Sequence, residues 1–320
     1  MNIRSAAIIG AGAVGAYFIW GLKSVPDLDL YLIAEGERAQ RLKDDGVWIN
    51  GEIYRLLVKT PEEAHEAPPD LIFLAVKYSS LAEAADEIRR AAGPATLVLS
   101  LMNGIDSEEV LAALIGEERV LPAFMRISSN RENNRITFDP GVTAGVFYGE
   151  RDGNNDTDRM KALQELFNRS DVRHHPVTDI IRQQWEKYRA NICYNLPQAI
   201  LGVGYGAYFV STHVEAIRAA LEEEVVKCAA AEGIELLPAP DMTRKYPPDA
   251  RYSTLQDLDA GRRTEVDMFL GVLIEKAAAH GITLPVSDTV FHIIKALEEK
   301  NEGIFAFELP AGAQRERGTS

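Results

Sequence analysis

Three polar side chains, Lys187, Asn191 and Asn195, recur at a spacing of four residues in an otherwise apolar stretch. On a helix this spacing places the amine and the two amides on one stripe. Buried amines and amides without partners cost several kcal/mol, of order 2–7 each, so the pattern favours the wall of a ligand-binding cleft. A stripe that faces water on an amphipathic helix is the alternative that the spacing leaves open. We expect Pro197 to kink this helix near its end.

A second polar cluster, from Ser253 to Asp267, precedes a predicted long helix. Arg263 or Thr264 is expected near the start of that helix. The carboxylate of Glu265 suits its first turn, where the helix dipole favours a negative charge. By themselves these residues are better explained by an ordinary helix cap with a charge that suits the helix dipole.

Two further polar residues follow predicted strands. Lys77 ends the segment Leu74–Lys77, and Asn103 opens an Asn-Gly pair after the next strand. The carboxyl ends of parallel strands meet the crevice in which ligands bind. An Asn-Gly pair also serves simply as a turn, so each residue alone is a weak indication.

The chain opens with an apolar strand that leads into a G-x-G-x-x-G pattern, Gly10-Ala11-Gly12-Ala13-Val14-Gly15. In this context Gly10 permits a tight turn, Gly12 lets the backbone approach a pyrophosphate, and Gly15 lets the helix pack closely on the strand. The helix N-terminus that follows presents free N–H groups to the phosphates. The pattern predicts a dinucleotide site, with an ordinary strand–turn–helix as the alternative.

The elements around these residues alternate in the first half of the chain. Strands are predicted at 6–10, 29–33, 71–76 and 96–100, with helices at 14–23, 37–45 and 81–91, and a hairpin at 47–54 turns at Asn-Gly. After about residue 178 long helical patterns take over, at 179–200, 212–232 and 262–280. The expected fold class is α/β: an N-terminal Rossmann doubly wound parallel sheet, then an all-α C-terminal domain. We expect domains at 1–177 and 178–309, a disordered tail at 310–320, and a ligand in the cleft between the domains.

Bulk composition excludes several classes of function. The net charge of −14 argues against nucleic acid or an anionic membrane as a partner. No apolar run approaches the ~20 residues of a membrane span, and the N-terminus lacks the features of a secretion signal. The two cysteines, Cys193 and Cys228, and the six histidines show no metal-ligand spacing. We therefore expect a cytoplasmic protein with reduced, buried thiols and no metal; the neighbours His174 and His175 should face opposite sides of a strand.

Taken together, these segments resemble the ketopantoate reductase (2-dehydropantoate 2-reductase) family over roughly residues 3–305. The resemblance rests on GAGAVG at 10–15, AVK ending at Lys77, NG at 103–104, WEKYRANICYN at 185–195 and STLQDLDAGRRTEVD at 253–267. It implies hydride transfer from a reduced nicotinamide cofactor to ketopantoate, giving pantoate, in pantothenate and coenzyme A biosynthesis.

The resemblance also implies a role for each residue that matches a family motif. Lys187 is the expected general acid, and Asn191, Asn195 and Ser253 the expected substrate-binding residues. Lys77, Asn103 and Glu265 are expected to contact the cofactor or to order the site. A further substrate-side asparagine common in the family is replaced near Tyr205 in this chain, which leaves the identity of the keto acid open.

The cofactor preference depends on two residues after the second predicted strand. Family members often carry a basic residue there for the 2′-phosphate of NADPH, and Arg38 is the candidate in this chain. Glu35 lies at about the spacing from Gly10 that suits a carboxylate on the free ribose hydroxyls of NADH. The family habit puts NADPH ahead, whereas the residues themselves favour NADH.

Two other functions stay open from the sequence. One is another 2-keto or hydroxy acid dehydrogenase with the same two-domain plan. The other is a non-catalytic NAD(P)-binding sensor, which would not need Lys187, Ser253 and Glu265 together. The expected partner is a small-molecule 2-keto acid, without nucleic acid or membrane, and a homodimer is compatible with the pattern.

Overall fold

The computed structural model of the chain describes residues 2–132, 134–240 and 246–305. The tail predicted at 310–320 lies outside these residues. The chain divides into two compact units. The first unit comprises Met1–Tyr188 and Gly233–Leu237, and the second comprises Arg189–Glu232 and Pro238–Ser320. The domain limits predicted at 177 and 178 stay a prediction.

Thirteen strands lie in the described part of the first unit. In chain order they are β1 (Ser5–Ile9), β2 (Asp29–Ile33), β3 (Val47–Ile49), β4 (Glu52–Tyr54), β5 (Leu57–Lys59), β6 (Leu71–Leu74), β7 (Leu97–Ser100), β8 (Val120–Leu121), β9 (Ala123–Arg126), β10 (Ser129–Glu132), β11 (Arg135–Phe138), β12 (Gly145–Tyr148) and β13 (His174–Pro176).

Six of these strands form one sheet in the order β5-β2-β1-β6-β7-β8, and every neighbouring pair is parallel. Its central strands are short apolar runs, such as Leu-Ile-Phe-Leu in β6, buried along their whole length. Such runs are typical of a parallel sheet that is covered on both faces. Strand order reverses between β1 and β6, which is the switch point of a doubly wound sheet. The predicted fold class is confirmed.

The first unit also contains seven α-helices in its described residues, which lie between the strands in the chain or after the last of them. They are α1 (Ala13–Leu22), α2 (Gly36–Asp45), α3 (Pro61–His65), α4 (Leu81–Ala91), α5 (Ser107–Ile115), α6 (Asp158–Asn168) and α7 (Ile180–Ala190), whose last residues cross into the second unit. Helix α1 packs against β6 through Phe18 and Phe73, whose ring centroids lie 4.5 Å apart. Both side chains are fully buried in one apolar core.

Two small sheets complete the first unit, in the orders β10-β11-β3-β4 and β13-β12-β9. The predicted hairpin at 47–54 is confirmed, because Asn50 and Gly51 form its turn with φ values of 49° and 90°. Both residues of a type I′ turn need positive φ, which explains the Asn-Gly pair. His174 and His175 do point in different directions, the first towards the Tyr148 hydroxyl and the second towards the Ala144 carbonyl.

The described part of the second unit contains helices and loops but no strand. Its helices are α8 (Leu196–Leu201), α9 (Ala207–Val210), α10 (Thr212–Ala231), α11 (Ser253–Asp259), α12 (Val272–Ala279) and α13 (Pro285–Asn301). Cys193 and Cys228 are both free and buried, as expected. Within the described ranges no helix is long and apolar enough to cross a membrane, and no cluster of three or more His, Cys, Asp or Glu side chains is arranged to hold a metal ion.

Two details of the predicted helices are corrected. The single helix expected over 179–200 contains a π-helical turn, Asn191–Asn195, between α7 and α8. Pro197 has no N–H to donate to Cys193, and its ring crowds that carbonyl, so the α-helical bond is lost just there and the turn widens. Glu265 lies one residue before the next helical segment rather than in its first turn, because that segment opens at Val266 with a π-helical turn, Asp267–Gly271.

Candidate cofactor and substrate site

The predicted site residues of the first unit lie at one edge of the main sheet. Glu35 follows β2, the glycine loop Gly10–Gly15 follows β1, Lys77 follows β6 and Asn103 follows β7. These four strands are neighbours and parallel, so their carboxyl ends share that edge. Backbone bonds continue the pairing past the strands, from Ala75 N to Ile9 O and from Leu101 N to Leu74 O. The structure thus brings together four segments that are far apart in sequence.

The glycine loop leaves room for other atoms at only one of its three glycines. A Cβ on Gly10, whose φ is +99°, would lie 2.4 Å from the Ala75 carbonyl oxygen, and one on Gly15 would lie 1.9 Å from the Gly10 oxygen. At Gly12 the nearest atom to a Cβ would be 4.0 Å away. Gly10 and Gly15 are therefore required by the fold itself, whereas the space beside Gly12 is open for a ligand.

The N-terminus of α1 fits the phosphates of a dinucleotide. Gly12 is its N-cap and supplies no side-chain hydrogen bond, and its first turn carries no acidic residue. The first backbone bond of the helix runs from Ala16 N to Gly12 O. The preceding N–H groups therefore have no partner within the helix and are available to an anion.

The corner after β2 is filled with charged side chains. Glu35 caps α2, and both of its carboxylate oxygens accept hydrogen bonds from the guanidinium of Arg90 on α4. Arg90 also pairs with Glu62 and with Asp86, the latter at 3.0 Å. Glu35 is two-fifths exposed, so its oxygens remain within reach of a ligand.

Arg38, the expected phosphate contact, is paired with Glu87 on α4. The Glu87 side chain is fully buried, and its second oxygen, Oε2, has no hydrogen-bond partner. Burial raises the pKa of Glu87 above its ordinary value, an effect that Arg38 partly offsets. Arg38 is therefore the counter-ion of a buried carboxyl group.

Lys187 is the site residue whose partner is best defined. Its Nζ donates to Asn103 Oδ1 at 2.8 Å and lies 5.6 Å from the ring centroid of Phe124 on β9. The side chain is half-buried, so its ammonium group is neither free in water nor sealed in the core. The bond to Asn103 fixes the position of the ammonium group, and an ammonium can donate to a carbonyl oxygen.

A buried polar network that the sequence did not reveal holds α7 beside Lys187. Gln184, one turn before Lys187, donates to Glu108 Oε1 at 2.6 Å and to the Ala123 carbonyl at 3.0 Å. Glu108 also accepts from Ser107 Oγ. Burial raises the pKa of Glu108, and its hydrogen bonds partly offset this. Nothing in the sequence distinguishes Glu108 from its exposed neighbour Glu109, because only tertiary contacts bury one of them.

The predicted substrate residues belong to two elements of the second unit, the π-helical turn and α11. Asn191 and Asn195 occupy the π-helical turn, Asn191 half-buried and Asn195 buried, while Ser253 is exposed at the start of α11. Gln198 fixes the residues before Ser253, since its amide accepts from Tyr252 N at 2.6 Å and donates to Ala250 O at 2.9 Å. Tyr205 is buried at the centre of an aromatic cluster that includes Tyr194, Tyr208, Phe209, Tyr246 and Tyr252.

Glu265 is half-buried, and its chain segment is fixed by a carboxylate from α13. The backbone N–H and the hydroxyl of Thr264 both donate to Glu298 Oε1, at 2.7 and 2.6 Å. Glu298 is itself buried and pairs with Lys295 at 3.1 Å. This second positioning group was also missed from the sequence, because it lies 34 residues away from the residue that it holds.

A parallel sheet with this strand order, an open glycine loop at its switch point and a half-buried lysine nearby define a class, the oxidoreductases that bind a nicotinamide dinucleotide. Two family models, described as "Ketopantoate reductase PanE/ApbA" and "Ketopantoate reductase PanE/ApbA C terminal", match residues 6–150 and 179–298. The chain belongs to the ketopantoate reductase family.

Individual relatives agree with this assignment. The 2-dehydropantoate 2-reductase of Archaeoglobus fulgidus is 27% identical over 307 residues, which cover 93% of this chain and 99% of that protein. The crystal structure of a PanE/ApbA family ketopantoate reductase from Ralstonia eutropha is 25% identical, with a TM-score of 0.78 and coverage of 93% and 99%. D-mandelate dehydrogenase in complex with NADH shares the fold, with a TM-score of 0.81, 24% identity and coverage of 92% and 99%.

Proposed function

We propose that the protein reduces 2-dehydropantoate to pantoate with a reduced nicotinamide cofactor, in pantothenate and coenzyme A biosynthesis. The observation that carries this proposal is the bond from Lys187 Nζ to Asn103 Oδ1, at the strand end two strands away from the glycine loop. It holds a proton donor at the edge of the sheet where a dinucleotide is expected. The names of the relatives and the family match support the same reaction.

In this proposal Lys187 is the general acid. When bound, the reduced nicotinamide supplies the hydride to the keto carbon. The Lys187 ammonium hydrogen-bonds the ketone oxygen, stabilises the negative charge that develops there and transfers its proton to it. Asn103 holds the ammonium in place through its amide oxygen, and the Gln184–Glu108 bond fixes the helix that carries Lys187.

The remaining site residues receive binding roles. Asn191, Asn195 and Ser253 are proposed to bind the substrate through neutral hydrogen bonds. Gly10–Gly15 are proposed to hold the pyrophosphate, and Lys77 to contact the cofactor. Glu265 is proposed to contact the cofactor or to order the site, with Glu298 fixing its segment. A cytoplasmic location and a homodimer remain predictions from the sequence.

For the cofactor we favour NADH, although the family resemblance alone favoured NADPH. Arg38 is committed to the buried carboxyl of Glu87, whereas the Glu35 carboxylate stands directly after β2, where it suits the ribose hydroxyls. Carboxyl groups also outnumber arginines around this corner, with Glu35, Glu62, Asp86 and Glu87 against Arg38, Arg89 and Arg90. A 2′-phosphate would add negative charge to a neighbourhood that is already negative.

The direct test is initial-rate spectrophotometry of ketopantoate reduction, with NADH and NADPH in parallel. The proposal expects turnover with ketopantoate and a higher kcat/KM with NADH. Turnover with other 2-keto acids but not with ketopantoate would assign the chain to another reductase of this plan. Tight cofactor binding without reduction of any 2-keto acid would leave the sensor as the function.

Variants test the proposed roles separately. Lys187→Ala should lower kcat about 10²–10⁴-fold, the usual contribution of general acid catalysis, while the affinity for cofactor changes little. Asn191→Ala and Ser253→Ala should instead raise the KM for the keto acid, each by about 5- to 150-fold. This factor corresponds to the loss of about 1–3 kcal/mol of hydrogen bonding. Fluorescence titration of the cofactor into each variant separates the two ligands. A Lys187→Ala enzyme with near wild-type turnover would show that the proton comes from another group.

A further inference from the structure

Arg126, at the end of β9, is a cation to which neither the family resemblance nor the sequence pattern assigned a role. Its side chain is exposed, and it forms no ion pair with any carboxylate of the described residues. By contrast, Arg38 and Arg90 at the corner after β2 are both paired with carboxylates. What distinguishes Arg126 from other exposed arginines is its place beside Lys187, the proposed general acid.

The backbone register fixes where Arg126 lies. On the sheet β13-β12-β9, Phe124 pairs with Phe147 and Phe147 with His175. The two phenylalanine rings are stacked, with centroids 4.9 Å apart and an angle of 2° between their planes, and His175 stacks on Phe147 at 4.5 Å. Side chains two residues apart on a strand share a face, so Arg126 lies on the same face as this aromatic stack.

The aromatic stack holds the guanidinium of Arg126. Its Cζ lies 5.4 Å from the ring centroid of Phe124 and 5.3 Å from that of Phe147. Contacts of this kind with an aromatic ring stabilise an arginine without consuming its five N–H donors. Gly145, the residue that pairs with Arg126 across the strands, has no side chain to cover it.

The same ring also lies beside the proposed general acid. Lys187 Nζ is 5.6 Å from the centroid of Phe124, so the two cationic groups can be no more than about 11 Å apart. A hydrogen bond takes up about 2.9 Å at each end. Because about 11 Å is an upper limit, the two groups are close enough for one small molecule with two acceptor groups, such as a 2-keto acid, to bridge them.

We propose that Arg126 binds the carboxylate of the 2-keto acid whose ketone oxygen is bound by Lys187. A planar guanidinium matches a carboxylate with two parallel N–H···O bonds. The positive charge of this guanidinium then favours an acid over a neutral ketone. This inference rests on the proposed function, since it takes a 2-keto acid as the substrate and Lys187 as the partner of its ketone.

The test compares ketopantoate with its neutral amide, in which the carboxylate is replaced by a carboxamide. At saturating NADH, Arg126→Met should raise the KM for ketopantoate about 10- to 100-fold, the range expected when a hydrogen bond to a charged group is lost. It should leave kcat within a few-fold and kcat/KM for the amide nearly unchanged. Arg126→Lys, which keeps the charge but loses the bidentate geometry, should fall in between.

A matched control exists in the same unit. Arg135 is also an exposed arginine held against an aromatic ring, with its Cζ 5.0 Å from the centroid of Trp48 in the other small sheet. Arg135→Met makes the same chemical change and should leave KM and kcat for both ketopantoate and its amide unchanged. Thermal unfolding of each variant checks that the fold is retained.

Calorimetric titration of ketopantoate into the complex with oxidised cofactor separates this inference from the proposed function. Arg126→Met should weaken that binding by the same factor, even if the wild type proves unable to reduce ketopantoate. An unchanged ratio of acid to amide in Arg126→Met, together with unchanged binding in the titration, would overturn the role of Arg126 and leave the reductase assignment intact. Weaker cofactor binding with an unchanged KM for the acid would overturn it equally, since it would assign Arg126 to the other ligand.

Discussion

Two neighbouring segments at the same edge of the sheet, the glycine loop after β1 and the charged corner after β2, are built in opposite ways. The glycine loop Gly10–Gly15 offers bare backbone and empty space, and the atoms nearest to a Cβ on Gly10 or Gly15 are backbone atoms of Ala75 and Gly10. The corner after β2 is built from charges, and Glu35 and Arg38 are held by residues of α4 that lie 55 and 49 positions further on. A phosphate site made of backbone therefore depends on glycines that the sequence shows directly, whereas the choice between two cofactors depends on ion pairs that the sequence does not show.

The largest effect is expected where backbone packing forbids a side chain. Gly15→Ala places a methyl group 1.9 Å from a backbone oxygen, and Gly10→Ala also forces φ = +99° on a non-glycine residue. Each should destabilise the fold by about 3 kcal/mol or more, at the upper end of overpacking costs, and abolish cofactor binding. Urea denaturation and cofactor titration measure the two effects.

The charged corner supplies the control for this prediction. Gly36 also has a positive φ, +54°, but no atom lies within 4 Å of the position of its Cβ. Gly36→Ala should cost only the conformational penalty of about 1–2 kcal/mol. A loss equal to that in Gly15→Ala would show that conformation, rather than close packing, limits the glycine loop.

Gly12→Ala should separate binding from folding within the loop. Its methyl group meets nothing closer than 4.0 Å, so the unfolding free energy should stay close to that of the wild type. Because the methyl group occupies the space proposed for the pyrophosphate, NADH should bind more weakly by about 1–3 kcal/mol, or about 5- to 150-fold. Fluorescence titration of NADH measures this change, and wild-type affinity would place the pyrophosphate elsewhere.

The charged corner should govern selectivity more than overall affinity. Glu35→Gln should lower the ratio of kcat/KM for NADH to that for NADPH by about tenfold, a modest value because the side chain is partly exposed and screened. Glu35→Arg should move the preference further towards NADPH. Arg38→Ala serves as the contrasting variant and should leave the ratio within about twofold, since its partner is Glu87. A selective loss of NADPH activity in Arg38→Ala would restore Arg38 as the phosphate contact.

The smallest effect is a pH dependence of stability that arises at Glu87. Burial raises the pKa of this carboxyl group in the folded protein, so the folded state binds its proton more tightly than the unfolded state does. Below the unfolded pKa of about 4.3, this tighter proton binding makes its full contribution to the free energy of unfolding. The contribution is lost as the pH rises through the pKa of the folded state.

The measurement is the difference in unfolding free energy between wild type and Glu87→Gln as a function of pH. As the pH rises from about 4, the wild type should lose stability relative to the variant by at most about 1.4 kcal/mol for each unit by which the pKa is raised. Glu223→Gln, at an exposed position of α10, controls for the loss of a carboxyl group. A difference that does not change with pH would show that the Glu87–Arg38 pair stays ionised throughout.

The site shows the same division between local and distant causes. The spacing of Lys187, Asn191 and Asn195 predicted a polar helical stripe, and the family motif gave each residue a role that stays a prediction. The partner of Lys187, however, is Asn103, 84 positions earlier in the chain. The π-helical turn was foreseen only as a kink near Pro197, because the extent of the distortion depends on how the neighbouring turns pack.

The sequence by itself determined the parallel sheet, the glycine loop, the Asn-Gly hairpin and the change to helices after about residue 178. These features depend on φ preferences and hydrophobic periodicity, which act between residues close together in the chain. Only the tertiary structure decided that Arg38 neutralises Glu87, that Glu108 is buried while Glu109 is exposed, and that Arg126 lies beside the same ring as Lys187. Ion pairs, burial and aromatic contacts need two elements that the fold brings together, and the residue types alone do not say which elements will meet.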